Sequence, residues 1–394
     1  MANLDPGTTL ARNGTEAAPP LPEIAPFLAL EVMVKARTLE AAGRHVTHLE
    51  IGQTAFSPPE PVREAMARCL RDGEPGYTEA LGMPALRERI AAHYETTYGS
   101  AISPRQVVLT TGSSGAFVLA FLAGFRPGGR VGLPMPWYPA YPNILRALRF
   151  EPVGVRTGQA QGFCVRPEDL DGTGDLDGLI VASPANPTGA MVSQATLAGL
   201  ADRIAPAGGV LVSDEIYHGI TFDHPAETAA GIRDNIIVIN SFSKYFAMPG
   251  LRLGWMVVPD NLVPAVERLA QSLFICPPAL SQIGALAVFD CLPTLNGYVA
   301  AYRQSRAALL SRAEAVGFAT VMAPSGAFYA YARLPEGFQP ARAVCEHLLE
   351  ERGVALTPGE DFDPQEGHRW VRLSFACPQE RIHEAFDRMD GFFA

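Results

Sequence analysis

What most constrains this chain is a rhythm in its middle. Short apolar, β-branched runs recur at 107–110, 178–182, 209–213, 236–240 and 254–258, with helical stretches between them. Runs this short, with no polar alternation, read as strands buried on both faces. Strands that alternate with helices assemble into a mostly parallel α/β sheet covered by helices. In such sheets ligands bind beyond the carboxyl ends of the strands. Clusters of small and polar residues follow the runs, at 111–115, 183–189, 214–217 and 241–244. They predict one site, built from several strand ends, with a helix beginning near Gly115.

The stretch after about residue 295 has a different pattern. Helices are expected at 302–316 and 341–352, and strands at 326–331 and 370–375, which is an α+β arrangement. At 394 residues the chain is long enough for two domains. The expected organisation is an extended, Pro-rich arm over 1–26, then a segment at 27–55 that joins the small domain. A large domain at 56–294 and a C-terminal small domain at 295–394 follow.

Composition narrows the function. A net charge of −10 argues against nucleic acid as a partner, because phosphate binding needs a basic surface. Cys69, Cys164, Cys276, Cys291, Cys345 and Cys377 are scattered without a C-x-x-C pair, so neither a metal site nor a disulfide framework is expected. The first residues lack the basic and apolar regions of a secretory signal. The most apolar stretch, 116–125, is about half the ~20 residues a membrane span needs. No membrane association and a cytoplasmic location are expected.

The most informative stretch is Ser-Phe-Ser-Lys-Tyr-Phe-Ala-Met-Pro-Gly-Leu-Arg-Leu-Gly-Trp at 241–255. A lysine directly after a buried strand is desolvated, so it loses its proton readily and becomes a nucleophile able to form a Schiff base. Arg252 adds a planar cation suited to phosphate. Gly112, Ser113 and Ser114 open a helix whose free N–H groups and dipole suit a phosphate.

This stretch resembles the cofactor-lysine motif of the class I and II aminotransferases, an aspartate aminotransferase-like group of fold type I. Further motifs follow in order along nearly the whole chain. The resemblance implies pyridoxal 5′-phosphate carried on Lys244, which also serves as general base and acid. It implies that Asn186, in Asn-Pro-Thr-Gly with a cis Asn186–Pro187 bond, donates to the cofactor's phenolic oxygen, as does Tyr217. Asp214, in Asp-Glu-Ile-Tyr, would keep the pyridine nitrogen protonated. Ser241 and Arg252 would join Gly112, Ser113 and Ser114 on the phosphate, and Tyr138 would stack on the ring. Arg372 and the backbone of Gly52 would hold the substrate carboxylate, with Asn186 beside them. Tyr77, in Gly-Tyr-Thr, would reach the phosphate of a neighbouring subunit, making a homodimer with shared sites.

The implied activity is amino transfer from an α-amino acid to a 2-oxo acid by a ping-pong route. Elimination from a sulfur amino acid or cyclopropane formation on the same scaffold would use the same motifs. A non-catalytic ligand-sensing domain is a more distant alternative. The family pattern breaks after Gly52, at Gln53-Thr54-Ala55, near the substrate entrance.

Overall fold

The computed structural model describes residues 23–73 and 75–394. Most of the expected N-terminal arm therefore lies outside the described residues. Its last part, Ala25, exchanges backbone hydrogen bonds of 3.2 and 2.9 Å with the Asn143 side chain.

A seven-stranded sheet runs in the order Val107–Thr110, Gly254–Val257, Ile236–Ser241, Val210–Asp214, Gly178–Ala182, Arg130–Met135 and Glu151–Arg156. Its central strands are apolar along their bodies because both faces are covered, and turn polar only toward their carboxyl ends, at Ser213, Asp214, Asn240 and Ser241. Ile180, Val212, Ile237, Ile239 and Met256 pack with Phe117 and Phe121 of helix Gly112–Gly124. Leu179, Val181, Leu211, Val238 and Trp255 alternate with them and feed the opposite core. Each alternation places one residue on each side, so a polar substitution has no wet face to occupy.

Three features depart from expectation. Gly254–Val257 is antiparallel to both its neighbours, so its amino end, Gly254, pairs with Thr110 and Ser241 at the site edge. The helix after Val107–Thr110 starts at Gly112, whose φ of 70° makes the turn, not at Gly115. Two strands of this sheet were not expected from the sequence, Arg130–Met135 and Glu151–Arg156. Both carry Gly, Pro and charged residues. Pro152 is tolerated because its strand is at the edge, and Pro134 lies past the Val131 and Gly132 pairing with Gly178–Ala182.

The C-terminal region forms a four-stranded antiparallel sheet, Thr357–Pro358, Trp370–Ser374, Tyr329–Arg333 and Thr320–Met322. Helix Leu292–Arg312 begins ten residues before the expected 302, so a domain boundary at 294/295 would cut its first turn. By length and apolarity Ala279–Arg312 could cross a membrane. It is instead two helices, broken by a 3-10 turn at Phe289–Cys291 and packed within the fold.

The N-terminal segment meets this region where Thr47–His48 pairs in parallel with Val354–Ala355. Helix Leu28–Ala41 starts where the Asp361 carboxylate accepts from the N–H groups of Leu28 and Ala29. His48 links the helix to the strand, with Nδ1 2.7 Å from Glu50 and Nε2 3.1 Å from Glu40. The Glu50 hydrogen bond leads in raising its pKa from 6.5 to about 9, against partial burial. A raised folded pKa contributes stability that is complete below the unfolded value and is lost as pH rises through the folded one. Urea unfolding should therefore show stability falling between about pH 6.5 and about pH 9, and His48→Gln should shrink that loss.

Candidate active site

A cavity of about 360 Å³ lies where the strand ends Ala182 and Asp214 face Tyr329 and Arg372 of the C-terminal sheet. Lys244 follows strand Ile236–Ser241 directly, and its Nζ donates to the Gly52 carbonyl at 2.6 Å. The same nitrogen is 5.7 Å from the ring centroids of Tyr217 and Phe328. Burial lowers its pKa to about 8, and the charges of Arg372 and Arg252 add to the effect while Asp214 opposes it. An amine with that pKa is part neutral at physiological pH, as a nucleophile or proton acceptor must be.

Asp214 ends its strand with a buried carboxylate. It accepts from the Tyr141 hydroxyl, and from the Ile216 N–H at 3.1 Å. Burial pushes the carboxyl up to about 6, while these donors and the Lys244 charge hold it down. Tyr141 is a residue the sequence reading missed. The signal was a second tyrosine in the aromatic segment, three residues after Tyr138. Tyr138 lines the cavity and Trp137 does not. Next to Asp214, Glu215 is structural: it is fully buried and accepts from Thr228 and the Ala229 N–H, both at 2.7 Å.

The opposite wall is built around Arg372. Its Nη1 donates to Asn186 Oδ1 at 3.0 Å, and its Nη2 to the Glu50 carbonyl and to Thr357 at 3.1 Å. The guanidinium also sits 4.4 Å from the Tyr329 ring centroid and 4.9 Å from that of Phe362. Three of its five N–H groups are thus engaged, and Nε is buried without a partner. The Asn186–Pro187 bond is cis, as expected. With Oδ1 turned to Arg372, the Asn186 amide has its donor group free for a ligand. Tyr217 and Tyr329 share a hydroxyl hydrogen bond of 2.9 Å. A Cβ at Gly52 would overlap the Tyr329 hydroxyl, so only glycine brings that backbone so close. Of the residues after it, Gln53 lines the cavity and Thr54 turns away to Tyr302 at 2.6 Å.

The third wall is the start of helix Gly112–Gly124. Ser113 and Ser114 line the cavity, as does Arg252, held in the left-handed region at φ 50°. A Cβ on Gly112 would fall 2.5 Å from the Arg252 Nη2, so glycine lets the cation approach the helix end. Ser241 is placed differently from expectation. Its hydroxyl donates to Ser243 at 2.9 Å and to the Leu253 carbonyl at 3.2 Å, and Ser243 lines the cavity in its stead. Tyr77 is 85% exposed and does not line its own chain's cavity.

A nucleophilic lysine, a buried carboxylate opposite and a cationic helix start fit a phosphorylated aldehyde cofactor with a basic ring nitrogen. The family pattern described as Aminotransferase class I and II matches residues 44–389. The chain belongs to this family. It is a pyridoxal-phosphate-dependent aminotransferase, moving an amino group from an α-amino acid to a 2-oxo acid.

This aminotransferase is 40% identical over 374 residues to a valine–pyruvate aminotransferase of Mycobacterium tuberculosis, covering 94% of this chain and 96% of that one. A crystal structure of an aminotransferase from the same organism matches with a TM-score of 0.91 at 40% identity, over 94% of this chain and 97% of that one. Aspartate aminotransferase from Thermus thermophilus with maleate matches at 0.86 and 30% identity, over 93% and 96% of the two chains.

Proposed function

We propose that this aminotransferase works on small apolar amino acids with pyruvate-like acceptors. The observation that carries the reading is the cavity wall on the side of helix Leu28–Ala41, where Phe27, Leu30, Met33, Ile51 and Ile144 present apolar surface. The name of the Mycobacterium tuberculosis relative, with its valine and pyruvate, agrees. A second reading has a specific observation in its favour. Arg37 also lines this cavity and could meet the distal carboxylate of a larger substrate. A panel of amino-acid donors, followed by the absorbance change of the bound cofactor, separates the two. Alanine and valine should convert the cofactor at least about tenfold more efficiently than aspartate or glutamate, a difference of ~1.4 kcal/mol. Preference for the dicarboxylates would support the Arg37 reading and reject the apolar one.

The geometry supports the following division of labour. Bound pyridoxal phosphate supplies an aldehyde carbon that takes up the amino group and a ring that accepts electrons from the substrate Cα. Arg372, with its two remaining N–H groups, holds the substrate carboxylate and fixes which Cα bond faces Lys244. The Lys244 amine takes the proton from that Cα and returns it on the other side of the transfer. Asp214, braced by Tyr141, would keep a proton on the ring nitrogen, and Asn186 and Tyr217 would donate to the phenolic oxygen. Ser113, Ser114, Ser243 and Arg252 line the phosphate end, and the backbone at Gly112 and the Ser241 hydroxyl behind Ser243 would support it. Because both substrates use one carboxylate clamp, they bind in turn, which is ping-pong kinetics.

The enzyme is read as a cytoplasmic homodimer with a small domain made of 27–55 and 295–394. Tyr77, with exposed Leu70, Leu273 and Ile275, offers surface for a second copy. Tyr77 of one subunit would then meet the phosphate end of the other. Loss of a hydrogen bond to a charged group costs ~1.5–3 kcal/mol, so Tyr77→Phe should weaken cofactor retention roughly 10- to 150-fold. Mixing Lys244→Ala and Tyr77→Phe dimers under subunit exchange should restore one site per heterodimer. Activity that stays at the parental average, with exchange demonstrated, would place Tyr77 outside the neighbour's site.

A further inference from the structure

We propose that His48 is a positioning residue for the carboxylate clamp, acting on Arg372 through Glu50. The inference rests on Arg372 being that clamp. Glu50 carries two groups that matter to the site. Its carbonyl accepts from Arg372 Nη2 and from Thr357 Oγ1, the latter at 3.0 Å. The residue lines the same cavity, and its side chain is fully buried with one carboxylate oxygen without a partner.

A buried carboxylate with one unpaired oxygen, on the very residue whose carbonyl holds Arg372, is a rival to the substrate. Left unpaired, it would be drawn to Arg372, the strongest nearby donor, and would occupy the N–H groups the substrate needs. His48 prevents this by holding the other oxygen at 2.7 Å from Nδ1. Its Nε2 is held in turn by Glu40, 3.1 Å away on helix Leu28–Ala41, whose Leu30 and Met33 line the cavity. The two carboxylates keep the imidazole cationic at neutral pH. The histidine therefore neutralises Glu50 and anchors the backbone on which Arg372 rests, without touching substrate or cofactor.

The test is steady-state kinetics of the cofactor-loaded enzyme, with KM and kcat measured separately for both substrates. His48→Gln should raise KM for the amino acid and the oxo acid about tenfold or more, with kcat within about threefold of wild type. Adding Glu50→Gln to His48→Gln removes the competing charge and should bring KM back most of the way. Glu40→Gln, a milder surface change, should raise KM about two- to threefold. A fall in melting temperature with KM unmoved in His48→Gln, or no rescue by Glu50→Gln, would overturn the proposal. Arg372→Gln is run beside these variants. If it raises KM and His48→Gln does not, only the His48 role fails; if neither raises KM, the clamp assignment fails with it.

Discussion

Replacing Lys244 by alanine should lower kcat by at least about 10⁴-fold while leaving the fold intact. General acid–base catalysis alone contributes ~10²–10⁴, and this substitution removes the cofactor's covalent anchor as well. The Lys244 Nζ lies in the cavity, against the Gly52 carbonyl and 5.7 Å from the Tyr217 and Phe328 ring centroids, so its loss opens cavity space and frees one part-buried carbonyl rather than disrupting the core. Circular dichroism and melting temperature should therefore stay near those of the wild type. The attachment can be read directly, since borohydride reduction of the wild type should fix the cofactor to one peptide. The chain has only two lysines, Lys35 and Lys244. Lys35 forms a surface ion pair with Glu350 at 2.6 Å, outside the cavity. Label on the Lys35 peptide would refute the assignment outright.

Arg372→Gln should have the second largest effect, concentrated in kcat/KM. Truncating one partner of a buried, hydrogen-bonded charge pair costs ~2–5 kcal/mol, or roughly 30- to 5,000-fold. The change also strips donors from Asn186, the Glu50 carbonyl and Thr357, so the upper part of that range is expected. Comparing an amino acid with the corresponding amine, which lacks the carboxylate, isolates the clamp. The wild type should strongly prefer the amino acid, and the variant should lose most of that preference. An undiminished preference in Arg372→Gln would show that another group reads the carboxylate.

Much of the site was legible in the sequence because its residues sit next to strand ends. Lys244, Asp214 and Asn186 lie within a few residues of buried apolar runs, where local chain direction dictates that they face the sheet edge. Arg372 was assigned through the family resemblance, as the one charged residue in the stretch from Trp370 to Phe375. The residues that were missed reach the cavity by packing rather than by position in a motif. Tyr141 meets Asp214 across 73 residues, and Tyr329 meets Tyr217 across 112. Nothing in a local pattern specifies such partners.

The sequence by itself determined the α/β class, the strand-end location of the polar clusters and the family. These follow from hydrophobic periodicity and short motifs, which act over a few residues. Only the tertiary structure decided that Gly254–Val257 runs antiparallel, that Ser243 and not Ser241 lines the cavity, and that Glu50 supports Arg372 through its carbonyl. Strand direction depends on how the 242–253 loop folds back, and hydroxyl direction on which acceptors that loop presents. The Arg372 shell joins residues 50, 186, 357 and 372, brought together because two sheets close on one cavity. Their distances are set by packing between elements far apart in the chain, which no local sequence pattern encodes.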